Sequence, residues 1–85
     1  ADARAVRLAL VADIARAVTD YRMAEARLFL ADADFSDAAA LARLTDTRIR
    51  AGISPGLDLV RAQSLEAAAR AQQGPARAAR AEALG

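Results

Sequence analysis

Apolar residues return at every seventh position along the first half of the chain. Ile14, Tyr21, Leu28, Phe35, Ala42 and Ile49 form one row. Leu10, Ala17, Ala24, Ala31, Ala38 and Thr45 form a second row beside it. One row is mostly large and the other mostly small. A strict seven-residue repeat predicts a helix supercoiled left-handedly around a partner helix, and the small row lets that partner come close. A third row starts apolar with Val11 and Val18 and turns polar at Glu25, Asp32 and Asp46, so the apolar face narrows along the chain. Residues 2–50 contain no Gly and no Pro, which predicts one helix of about 73 Å at ~1.5 Å per residue. Asp32, Asp34, Ser36 and Asp37 compete for backbone groups and make 32–38 a weak spot. The heptad register runs straight through it, so a single helix is retained.

The pattern breaks at "RIRAGISPGLDLVRAQ", residues 48–63. Gly52 suits the left-handed position just past a helix end, and Ile53 can pack back on that helix. Ser54 is the predicted N-cap of a second helix, with Pro55 at its first position, where the missing N–H costs nothing. Asp58 then sits near the positive end of the helix dipole. The predicted elements are a helix over 2–50, a tight turn over 51–56 and a helix over 57–73. Gly74–Pro75 predicts a break, and a short helix follows over 76–84. Leu57, Val60 and Leu65, followed by Ala68 and Ala71 or Ala67, give the second arm its expected packing stripe. The predicted packing seam is therefore Ile14, Tyr21, Leu28, Phe35 and Ile49 against Leu57 and Val60. The fold class is all-α, a long antiparallel coiled-coil-like αα-hairpin.

Composition sharpens this picture. Ala supplies 26 of 85 residues, and only three are aromatic. Little area is buried per Ala side chain, at about 25 cal/mol per Å², but Ala has the best helix propensity. Long, closely packed helices suit this chain better than a globular core. Part of its apolar surface, at Val6, Leu10, Val11 and Ile14, has no partner within the hairpin and should drive self-association into a bundle. Because the chain begins with Ala and shows no signal-peptide pattern, it is read as a mature fragment or an excised piece of something longer.

The candidate chemistry is mostly negative. All twelve basic residues are Arg, interspersed with acids to a net charge of +1, so nothing favours nucleic acid. Without His or Cys, the common metal sets and the nucleophile–His pairs are missing, and Asp32, Asp34 and Asp37 lack the Gly and closing Glu of a calcium loop. No phosphate-binding Gly loop is present. Tyr21, Phe29 and Phe35 form no stacking platform, and Tyr21 and Phe35 read as core. No enzyme, cofactor or metal is expected. A generic coiled-coil interaction module accounts for the heptads and the turn.

Three stretches together go further: "VADIARAVTDYRMAEARL" (11–28), "LARLTDTRIRAGISPGLDLVRAQSLEAAARAQ" (41–72) and the closing "LG". They resemble the outer-membrane efflux proteins of Gram-negative bacteria, the TolC/OprM-like ducts, and most of all the lipoprotein branch labelled NodT. The most specific part is R-x-x-A-G-x-x-S-x-x-D-L, carried by Arg48, Ala51, Gly52, Ser54 or its neighbour, Asp58 and Leu59.

The resemblance implies one helical hairpin, more like the first than the second, of a periplasmic α-barrel closed by three protomers. The β-barrel that crosses the outer membrane lies outside these residues. It implies that Ala51, Gly52, Ile53 and Ser54 are a tip that docks a periplasmic adaptor protein, and through it an inner-membrane pump. It also implies that Asp58 lines the entrance or helps close it. Asp46, Arg48 and Arg50 join Asp58 as candidates for polar contacts between hairpins. Pro55–Gly56 departs from many relatives and leaves the tip shape open.

Overall fold

The computed structural model describes residues 2–85. Two helices account for nearly all of them: α1, Ala3–Arg50, and α2, Gly56–Leu84. They fold back on each other as an antiparallel hairpin, a rod of 75 × 14 × 14 Å. The expected all-α hairpin is the observed fold.

Local chemistry sets the ends of α1. The Asp2 side chain caps its start by accepting from the Arg4 backbone N–H at 3.0 Å. At its other end Arg48 and Arg50 sit in the last turn, where positive charge favours the dipole. The helix stays regular through residues 32–38. Thr19, Thr45 and Thr47 satisfy their hydroxyls by donating to the carbonyls of Ala15, Leu41 and Arg43, at 2.8–3.1 Å.

The contact between the helices starts at Tyr21 and runs to the turn. From α1 it takes Ala24, Leu28, Ala31, Ala39 and Ala42, all buried, with Tyr21, Phe35, Ala38, Thr45 and Ile49 half-buried. These are the two predicted heptad rows, plus Ala39 from the third. From α2 it takes Ala62, Ala69, Ala76 and Ala83, again seven apart, alternating with Leu59, Glu66 and Gln73. Two small rows thus face each other. Leu28 is the only large side chain among the buried apolar residues, and it meets Ala31 and Ala76.

Four expectations need correction. Leu57 and Val60 are 56% and 57% exposed, and Leu65 also points out, so the stripe chosen for α2 is not its contact face. An Ala-rich helix carries small residues on several rows, and the row that packs is the one giving closest approach to α1. Ile14 is 55% exposed, because α2 ends before reaching it. The N-cap of α2 is Pro55, extended at φ −73° and ψ 152°, with no side-chain cap bond. The cap thus falls one residue later than Ser54, and the helix begins at Gly56.

Finally, α2 does not break at Gly74–Pro75 but runs through to Leu84. The residue before a proline is kept out of helix partly by a clash with its own Cβ, and Gly74 has none. A Cβ there would meet nothing within 4 Å, so no neighbour requires the glycine. Its role is to make Pro75 tolerable in a helix. The residue after it, Ala76, is 0% exposed, the best buried in the chain.

Candidate functional site

The candidate site is the turn. Its geometry follows from one glycine. The backbone N–H of Gly52 donates to the Ile49 carbonyl at 3.0 Å, and that of Ile53 donates to the Arg48 carbonyl at 2.9 Å. This pair of bonds is the Schellman closure, and it requires the left-handed φ of +75° seen at Gly52. Two of the four orphan carbonyls of the last turn, those of Arg48 and Ile49, are satisfied, and they fix the shape of the tip. Past it, the Asp58 N–H donates to the Pro55 carbonyl at 3.0 Å and starts α2.

The closure leaves Ile53 at the apex, 74% exposed, instead of folded back on α1 as expected. Ala51 and Gly52 are exposed beside it, and Ser54 is half-buried. A β-branched apolar side chain thus stands out on a hydrogen-bonded turn.

Of the four candidate polar residues, Asp46 and Arg50 form an ion pair at 3.1 Å one turn apart on α1. Both ends are well exposed, so it contributes roughly 0.3–0.5 kcal/mol. Arg48 and Asp58 lie along a shallow groove between the helices, shared with Leu41, Thr45, Ser54, Arg61 and Leu65. Neither makes an ion pair among the described residues. The structure therefore brings Arg48, Ser54 and Asp58 together and leaves Asp46 and Arg50 to pair with each other. Arg61, a lining residue of the groove, was missed by the sequence reading. Its signal was its position one turn after Asp58 on the same face.

No cluster of potential metal ligands occurs among the described residues. No helix there is long and apolar enough to cross a membrane. The remaining cross-helix polar contacts lie mid-hairpin. Gln73 Nε2 donates to Asp32 Oδ1 at 2.9 Å, Arg77 lies 3.9 Å from the same oxygen, and the Arg70 guanidinium sits 5.2 Å from the Phe35 ring centroid. Nothing in this arrangement performs covalent chemistry. It holds two helices in register and presents a tip.

Comparison with known proteins agrees with that geometry. The model of the family described as "Outer membrane efflux protein" matches residues 1–85, the whole chain. No curated protein and no solved structure matches. The chain belongs to the outer membrane efflux protein family, whose members are non-enzymatic transport channels of the outer membrane with a helical periplasmic part.

Proposed function

We propose that this hairpin is a wall element of the periplasmic α-barrel and that its turn docks a periplasmic adaptor protein. The observation that carries the docking role is Ile53, fixed at the apex by the Schellman bonds and 74% exposed. An apolar anchor on a preorganised turn is what a small protein contact uses, because little conformational entropy is lost on binding. Ala51, Gly52 and Ser54 supply the close-approach surface around it. Arg48 and Asp58, unpaired within the hairpin, are the groups free to meet charges on a neighbouring hairpin at the entrance.

In this reading the assembled duct is a homotrimer of the NodT-type lipoprotein branch, linked through the adaptor to an inner-membrane pump. The exported molecule passes along the tube and is not held by any residue here. The support for a wall role is surface area. The hairpin exposes 6491 Å², against roughly 4,800 Å² for a compact monomer of its mass. Sixteen large apolar side chains are more than 40% exposed, as suits a piece covered on both sides by other helices.

The test is photo-crosslinking in cells from a photoreactive residue placed at Ile53, with a control at Leu44 on the outer side of α1. Capture of an adaptor hairpin from position 53 and not from position 44 supports docking at the tip. Equal capture from both, or from neither, rejects docking at the tip and leaves the hairpin a wall element alone.

A further inference from the structure

The Gly74–Pro75 pair has no part in the tip, yet the best-buried residue and the cross-helix polar contacts gather around it. Pro75 has no N–H, so the Ala71 carbonyl lacks its i+4 donor and α2 is weakest at this point. On the tip side of the break, Arg70 of α2 lies over Phe35 of α1. Across the break itself, Gln73 and Arg77, two residues to either side of Pro75, both reach Oδ1 of Asp32, at 2.9 and 3.9 Å. Between them Ala76 is enclosed by Leu28 and Ala31. One carboxylate on α1 therefore bridges both flanks of the weak turn on α2.

We infer that Gly74–Pro75 is a hinge in α2 and that Asp32 is its latch. With Asp32 engaged, the two halves of α2 are held on α1 as one straight arm. With Asp32 released, the part of α2 beyond Pro75 can move about it, while the part nearer the tip stays packed. The hinge lies about 29 Å from the start of α2, at ~1.5 Å per residue. This inference does not depend on the docking role of the tip. A latch of this kind suits local opening, because its polar contacts are solvent-exposed and individually weak, while the seam around it is built of small side chains.

Hydrogen exchange on the full-length protein tests it, comparing wild type, Asp32→Ala, Pro75→Ala and the double variant. Asp32→Ala should speed exchange of the amides in 76–84 about three- to tenfold and leave 58–70 within about twofold, the scale of losing one hydrogen bond and one exposed ion pair. In the Pro75→Ala background the same substitution should change exchange less than about twofold, because a continuous helix needs no latch. Asp32→Asn keeps an oxygen for Gln73 and removes the charge that Arg77 meets, so it should give a smaller rise than Asp32→Ala. This milder variant also reports if Asp32→Ala fails to fold. An equal response on both sides of residue 75, an undiminished effect when Pro75 is absent, or no change with either substitution at Asp32 would overturn the latch.

Discussion

At the scale of single residues, two glycines near the tip have opposite roles. Gly52 sits at φ +75°, where an added Cβ would meet no neighbour within 4 Å. Gly52→Ala is therefore expected to cost about 1–2 kcal/mol through backbone conformation alone. Gly56 is at the first position of α2, has no positive φ, and is equally open. Gly56→Ala should instead stabilise by about 0.4–1 kcal/mol. Chemical denaturation of both variants checks the contrast, and equal effects would contradict the turn geometry.

Asp58 belongs to the same scale. As the acid in the first turn of α2 it favours the dipole, worth about 0.3–1 kcal/mol. It also lines the tip groove beside Arg48 and Arg61. If it helps close the entrance, Asp58→Ala in the full-length channel raises ion leak in planar bilayers. Unchanged conductance removes Asp58 from the gate and leaves it a helix-end charge.

At the scale of elements, the hairpin is held by small residues that let two helices approach. No side chain of the described residues combines large volume with full burial, so stability comes from many close Ala contacts and not from a few large anchors. Such a seam tolerates little added volume. Ala76→Leu, at a position with no exposed surface, should cost about 1–3 kcal/mol by overpacking against Leu28 and Ala31. Ala68→Leu, on the exposed side of α2, should stay within about 0.5 kcal/mol. Thermal unfolding followed by circular dichroism distinguishes the two, and similar shifts would mean the helices do not meet along the Ala62–Ala83 row.

At the scale of the whole molecule, the unpartnered surface is informative. Before Tyr21, every described residue of α1 is exposed, including Val6, Leu8, Leu10, Val11, Ile14 and Val18. This stretch continues the heptad rows with nothing across it. In an assembled barrel wall it is covered by other helices, so a charge there must be desolvated at a cost of several kcal/mol. Ile14→Asp in the full-length protein should reduce the assembled oligomer seen by light scattering while leaving helix content intact. An undiminished oligomer would remove this face from the contacts between protomers.

The sequence by itself determined what local chemistry controls. Heptad spacing fixed the helical state of α1 and its contact face, because a seven-residue repeat permits one supercoiled seam. Gly52 fixed the turn, because only a residue without Cβ adopts φ +75° at little cost. The position of the turn was legible for the same reason. Tertiary structure alone decided which face of α2 packs. Its Ala residues occupy several rows, and apolarity by itself favoured the larger Leu57, Val60 and Leu65, whereas close approach to α1 selected Ala62, Ala69, Ala76 and Ala83. It also decided the fate of Gly74–Pro75. Helix propensity counts the missing hydrogen bond as a break, but Gly74 relieves the clash before proline. Packing of Ala76, with Gln73 and Arg77 on Asp32, offsets across the interface part of what the backbone gives up within the helix.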